Sequence, residues 1–160
     1  MSHPRDEVQA AVDAYCALRA RIEAGEATWT DLADLFTDDV VYNDPAWGRI
    51  EGIDELRVFL DESMRGLEDW TFPVEYTAIE GDTVVIKWTQ QLPGARADGS
   101  RYEQSGYSTL VYAGDGKFEY EEDLLNMVHV FEDLKASGWQ PKENMLMPPA
   151  EPDRNFRRRA

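Results

Sequence analysis

The chain is poor in the residues that carry most metal, redox and nucleophile chemistry. Among its 160 residues there are one cysteine, Cys16, and two histidines, His3 and His129. A single thiol forms no internal disulfide and fits a reducing cytoplasm. One thiol and two distant imidazoles offer no metal-ligand spacing, so neither a metal nor any other cofactor is expected. There is no glycine-rich phosphate loop and no serine or cysteine nucleophile signature. No apolar run approaches the roughly 18 residues a bilayer span needs, and the start, Met-Ser-His-Pro-Arg-Asp-Glu, lacks the hydrophobic stretch of a secretory signal. Cationic charge is also scarce, with 16 Lys and Arg against 32 Asp and Glu and a formal charge of -16. A polyanion needs clustered cations to displace its counterions, so nucleic acid is excluded as an expected partner. An anionic membrane surface is excluded for the same reason.

What the chain has is apolar material for one core, 42% hydrophobic and 11% aromatic. Residues 6–24 read as a helix, because Val8, Ala11, Val12, Tyr15, Cys16, Leu18 and Ile22 recur at spacings of three and four. A short helix is expected over Thr30 to Phe36, with Thr28 or Thr30 as its cap. Asp39 to Asp44 is strand-like and ends at Pro45, which has no N–H for a sheet ladder. A turn through Trp47 and Gly48 leads to a helix from Ile53 to Met64. Four extended runs follow, at 70–79, 83–92, 101–112 and 117–125, separated by Gly and Asp turn signals. A last helix is expected from Asn126 to Ser137, with Val128, Phe131 and Leu134 as its buried face and Gly138 as its stop. The domain is expected to span 1–140, with 141–160 a Pro- and Arg-rich tail, either weakly ordered or folded onto the acidic body of its own or a partner subunit. Helices followed by an antiparallel meander give an α+β fold, in which a curved sheet packed with helices leaves a cavity.

Strand alternation nominates residues for that cavity. In 83–92 the apolar face carries Val84, Ile86, Trp88 and Leu92, so Gln90 is a polar group on an apolar wall. Tyr42 and Asp44 share a face of the first strand. In 101–112 neither the face of Gln104 and Ser108 nor that of Tyr107 and Val111 is marked as inner. In 117–125 the sets Glu121, Asp123, Leu125 and Phe118, Tyr120, Glu122 are equally open. Asp44 reads either as a desolvated general base or as a turn aspartate, since Asn-Asp-Pro serves both. Asp123 reads either as half of a carboxylate pair or as part of a solvated acidic edge. Tyr15 and Tyr42 can donate to a substrate oxygen or to partners in the core. Trp47, Trp88, Ser108 and Leu125 are candidate ligand contacts.

The order helix, helix, Asp-Asp-Val-Val-Tyr-Asn-Asp-Pro at 38–45, Gly52, helix, and a meander closing on Asp-Gly-Lys-Phe at 115–118 resembles the SnoaL-like branch of the nuclear transport factor two-like superfamily. The resemblance implies a cone-shaped α+β barrel around a deep pocket, homodimers through the outer sheet face, and an apolar ligand of steroid, polyketide or terpenoid type. Ketosteroid isomerase is similar at two positions. Its base, an aspartate followed by proline, corresponds to Asp44, and its first-helix oxyanion tyrosine to Tyr15. Its protonated aspartate would fall near Ser108, which is a departure. Limonene epoxide hydrolase is similar at Tyr42 and Asp123, but its remaining charged residues would fall at Gln90 and Trp88. SnoaL-type cyclases use a pocket aspartate, which Asp123 or Asp44 can supply. The implied activity is isomerisation, cyclisation or dehydration by proton transfer next to a carbonyl. Asp44 is then the base, Tyr15 or Tyr42 the donor, and Asp123 the second acid/base. The alternatives are a binding protein without turnover and an interaction module whose pocket fills itself. A dimer face is expected at Val85, Thr89, Tyr107, Thr109 and Val111.

Overall fold

The N-terminal apolar stripe produces helix α1 (Arg5–Glu23) in the computed structural model, which describes residues 2–160. Its buried positions are Val8, Ala11, Val12, Tyr15, Arg19 and Ile22, so the stripe continues through a charged residue. The short second helix differs from the expected form. Trp29–Leu35 is a 3-10 helix, with the Asp31 carboxylate accepting the Thr28 N–H at 2.8 Å. Seven residues are too few to sustain a regular α-helix without tertiary support, and Phe36 is drawn instead into the first strand.

That strand, β1 (Phe36–Asp44), turns Val40 and Tyr42 into the main core and Val41 to the other face, where it packs with Val111 and Tyr120. The segment read as a turn after Asp44 contains a further strand, β2 (Gly48–Glu51), paired antiparallel with β1 from Asp44↔Gly48 to Val41↔Glu51. The reversal is tight because Asp44 Oδ1 accepts the N–H groups of Ala46 and Trp47, at 2.8 and 2.7 Å, and Gly48 adopts φ 81°. Helix α2 (Ile53–Met64) then lays Leu56, Phe59 and Leu60 on the sheet.

The meander comprises β3 (Val74–Glu80), β4 (Thr83–Gln91), β5 (Glu103–Gly114) and β6 (Lys117–Leu125). The first run begins later than expected. Only a single bridge, Thr71↔Gln91, precedes Val74, since Pro73 interrupts the ladder. Sheet order is β2-β1-β6-β5-β4-β3, antiparallel except where β6 lies parallel to β1. The sheet is curved and unclosed, with α1, the 3-10 helix and α2 against its inner face, as the expected α+β cone requires. No helix among the described residues is long and apolar enough to cross a membrane.

Helix α3 (Met127–Ser137) is capped as expected, the Asn126 side chain accepting from Val128 and His129 and Gly138 stopping it at φ 68°. Of its expected buried face only Leu134 packs against the core. Val130 and Asp133 are inward, whereas Val128 and Phe131 are each 63% exposed. Asp133 is drawn in because Arg96 and the Gln104 amide both donate to it, at 2.6 Å, which rotates the helix away from its most apolar stripe. The outer sheet face also departs from expectation. Val111 and Thr89 are covered, and the exposed apolar groups are Tyr76, Tyr107 and Leu124. Tyr76, Lys87, Tyr107 and Leu124 form one register row across four strands.

Residues 141–160 contain no helix or strand, yet they run along the body. Lys142 pairs with Glu68 and Asp69, Met145 sits over Gly66, and Arg49 donates its main-chain N–H to the carbonyl of Asp153 and its guanidinium to those of Asn155 and Arg157. Arg158 and Arg159 reach Glu119 and Glu51.

Candidate functional site

Among the described residues one hollow lies between the ends of α1, the 3-10 helix and α2, and another between the helices and the sheet. The larger, about 450 Å³, contains three acids that all have partners: Glu23 accepts the Phe72 N–H, Asp61 pairs with Arg65, and Glu68 with Lys142. The other, about 310 Å³, has an apolar wall and a cluster of buried polar groups that hydrogen-bond to one another. All nine residues nominated from the sequence line it: Tyr15, Tyr42, Asp44, Trp47, Trp88, Gln90, Ser108, Asp123 and Leu125.

The centre of the cluster is on β6. A bulge there pairs Val111 with Tyr120 but Tyr112 with Phe118, so alternation slips by one residue. Phe118 faces the core, Tyr120 faces out, and Glu121 and Asp123 both face the cavity. Asp123 Oδ1 accepts the Ser108 hydroxyl and Oδ2 the Tyr42 hydroxyl, each at 2.5 Å. Ser108 in turn accepts the Trp88 indole N–H at 2.9 Å. Trp88 lies across Gly106, where any Cβ would come within 2.5 Å of its ring, so this glycine makes room for the chain Trp88–Ser108–Asp123.

Glu121 is 1% exposed. Its Oε1 accepts the Tyr15 hydroxyl at 2.9 Å and has a longer contact, 3.3 Å, with Tyr42, while Oε2 has no partner among the described residues. Tyr42 has one proton and gives it to the nearer acceptor, Asp123. Two bare carboxylates bridged by one hydroxyl cannot both be stable without solvent, so the pair titrates as a unit and retains a proton. Burial, then the charge of Asp123, pushes the Glu121 carboxyl well above its ordinary range. Burial also raises Asp123, but its hydroxyl donors pull against that. The proton therefore belongs to Glu121 and the charge to Asp123. The two tyrosines are raised as well, first by burial and then by the neighbouring carboxylate: Glu121 for Tyr15, Asp123 for Tyr42.

Asp44 lies on the same cavity wall, partly buried. Burial pushes its carboxyl up to about 6, against the pull of the Trp47 and Ala46 N–H groups. Both sequence readings of Asp44 are present in the geometry, since one oxygen ties the turn while the group faces the pocket. Gln90 is fixed by donating to Gln104 at 2.9 Å, which extends to Asp133 of α3.

The span 11–120 matches the SnoaL-like domain. The chain belongs to that family. Solved structures agree with this SnoaL-like fold. A protein from Jannaschia sp. CCS1, provisionally named a SnoaL-like polyketide cyclase, is 18% identical with a TM-score of 0.65, over 85% of this chain and 98% of its own. TerC, crystallised with polyporic acid, is 20% identical with a TM-score of 0.59, over 81% and 98% of the two chains. A hypothetical protein with a ketosteroid isomerase-like fold from Catenulispora acidiphila, in complex with trimethylamine, is 18% identical with a TM-score of 0.61, over 79% and 97%. No curated protein matches the sequence significantly.

Two charged residues of this SnoaL-like pocket were not among those nominated from the sequence. Glu121 stood in one set with Asp123, but the bulge, which breaks the alternation that strand reasoning depends on, left that face open. Arg19 was hidden by its charge, although its place four residues after Tyr15 and three before Ile22 puts it on the buried stripe. Burial at helical spacing, applied without regard to residue type, identifies it.

Proposed function

We propose that this chain is a cofactor-independent enzyme that moves a proton at a carbon next to a carbonyl in a small, largely apolar molecule. The observation that carries the reading is the buried pair of carboxyl groups Glu121 and Asp123, both reached by the Tyr42 hydroxyl, on a cavity that also contains Asp44. Asp44, with a pKa of about 6, is mostly ionised at neutral pH and basic enough to take a proton from an activated carbon. As the C–H bond breaks, its electron pair moves onto the carbonyl oxygen. Neutral Glu121, with Tyr15 behind it, offers a hydrogen bond to that developing oxyanion in a site of low dielectric. Asp123 keeps Tyr42 oriented and takes up the charge that makes Glu121 an acid. Isomerisation, aldol cyclisation and dehydration all begin with this step. The polyketide cyclase name of one structural neighbour and the small molecules bound by two others support a pocket that acts on organic ligands.

The test uses the bicyclic ketone β-tetralone in D2O, with deuterium entry at its α-carbons followed by proton NMR. Protein-dependent exchange is expected, falling by about a hundredfold or more in Asp44→Asn, the usual scale for a lost general base. Exchange no faster than in buffer would refute the catalytic reading.

A second reading is favoured by one observation. Met145, Leu146, Met147 and Pro148 of the tail line the same cavity, which suits a binding protein closed by its own chain. Native mass spectrometry showing a retained small molecule, together with no exchange activity, selects it. We also take the row of Tyr76, Tyr107 and Leu124 as the contact of a homodimer, which light scattering at micromolar concentration tests, and the lone thiol as the mark of a cytoplasmic protein.

A further inference from the structure

Arg19 has no role in the proton transfer just described, yet it is a costly, deeply buried cation. It is 5% exposed, on the inward stripe of α1, where a leucine or methionine would complete the core without desolvating a charge. Six other arginines, at 49, 57, 65, 96, 158 and 159, find carboxylate partners. Arg19 forms no ion pair among the described residues. Its Nη2 donates to the neutral carbonyl of Phe72 at 2.9 Å, and its Nε has no partner at all among the described residues. Its guanidinium is held in place by two indoles, Trp29 at 5.6 Å and Trp88 at 5.5 Å from the ring centroids, and the side chain lines the cavity. The Arg19 charge acts on Glu121 and Asp123 across the cavity without touching either, so a guanidinium clamped between aromatic faces with its Nε unspent is prepared for an oxygen anion within hydrogen-bond reach that the protein itself does not supply.

We infer that Arg19 receives an acidic oxygen of the ligand, a carboxylate or an ionised enol, so that the pocket selects amphipathic organic anions over neutral molecules of the same shape. This rests on reading the cavity as the ligand site, and it replaces a purely apolar ligand with one that has an anionic end near the Trp29–Trp88 clamp and an apolar body. The rest of the molecule does not favour anions. The chain has a formal charge of -16, and Asp44 and Asp123 face the same space. Any anion preference must therefore come from Arg19.

The experiment compares two matched pairs of probes by isothermal titration calorimetry at pH 7.5. Naphthalene-2-carboxylate is set against naphthalene-2-carboxamide, and ionised 2-hydroxy-1,4-naphthoquinone against 1,4-naphthoquinone. The full-length protein should bind the anion of at least one pair tenfold or more tightly than its neutral partner, and the pair that does so identifies the acidic oxygen as carboxylate or enol. Arg19→Met should erase that ratio while changing the affinity for the neutral probe by less than threefold. Arg19→Lys, which keeps the charge, should retain part of it. A purely structural arginine would weaken both members of a pair alike. A ratio of one or less in the unmodified protein, no binding of either anion, or a ratio that survives in Arg19→Met overturns the inference. Where Arg19→Met does not fold, as judged by near-ultraviolet circular dichroism, the ratio in the unmodified protein and in Arg19→Lys decides. Loss of β-tetralone exchange with the ratio intact defeats the catalytic reading alone, and a ratio of one with exchange intact defeats this inference alone.

Discussion

The cavity contains carboxylates supported in two different ways. Asp44 is held by main-chain N–H groups of the turn that follows it. Asp123 is held by side-chain hydroxyls from two other strands, Tyr42 on β1 and Ser108 on β5, and is coupled through Tyr42 to Glu121. Main-chain donors come with the backbone, so Asp44 shares no hydrogen bond with the pair and feels it only through the charge of Asp123, which adds to the upward push of burial. Hydroxyl donors are scattered through the sequence and make Glu121 and Asp123 a single unit. An independent carboxylate with a pKa near neutrality suits a base, and a coupled pair suits the storage of a proton. Four substitutions probe that division.

The largest effect is expected from Glu121→Gln. Its folded carboxyl is raised well above 4.5, so above that pH the unfolded chain releases a proton that the native state keeps. Stability then falls as pH rises, by up to about 1.4 kcal/mol per pH unit for one proton, until the native carboxyl itself ionises. Glutamine keeps an acceptor for Tyr15 and has no such slope. Urea unfolding at pH 5, 6.5 and 8 should show the variant gaining steadily on the parent protein. A variant that is several kcal/mol weaker at every pH would mean that native Glu121 is an anion whose charge is needed.

Next in size is Tyr42→Phe, set against Tyr15→Phe. Tyr42 donates to the anionic member of the pair and Tyr15 to the neutral one. Hydrogen bonds to charged groups are worth about 1.5–3 kcal/mol and neutral ones about 1 kcal/mol. Chemical denaturation at pH 7 should therefore cost Tyr42→Phe about 3 kcal/mol and Tyr15→Phe about 1 kcal/mol. The reverse order would move the shared proton from Glu121 to Asp123.

The same contrast accounts for what could be read from the sequence. Asp44 and its turn were legible because everything that shapes them lies within four residues, Asp44 to Trp47. The face of β4 carrying Trp88 and Gln90 was legible because its alternation is unbroken. The inner face of β6 was not, since the slip at Tyr120 depends on how β5 pairs with it. Strand β2 was missed because four residues hold too little pattern, and its pairing is set by the Asp44 side chain. The buried face of α3 was misread because Asp133 is drawn inward by Arg96 and Gln104, whose positions only the folded chain determines. In each case local chemistry was readable and long-range pairing was not.

A smaller effect than that of Tyr42→Phe, and the one that isolates Asp44, is expected from Asp44→Asn. Burial raises its carboxyl from 3.8 to about 6. Between those values the native state binds the proton more tightly than the unfolded chain, so stability falls as pH climbs through the window and stays lower above it. Two pKa units correspond to about 3 kcal/mol, and partial exposure of the side chain reduces this to about 2 kcal/mol. Asparagine is never charged and keeps its Oδ1 as acceptor for Ala46 and Trp47. The variant should match the parent protein below pH 4 and exceed it by about 2 kcal/mol at pH 7 and above. Below pH 4 both side chains are neutral, so any difference there measures the turn alone and corrects the comparison. If the anion were needed to hold the turn, as a capping carboxylate would be, Asp44→Asn would lose stability at pH 7 instead. Gain of stability with loss of β-tetralone exchange in this one variant is the signature of a residue retained for its chemistry at a cost to the fold.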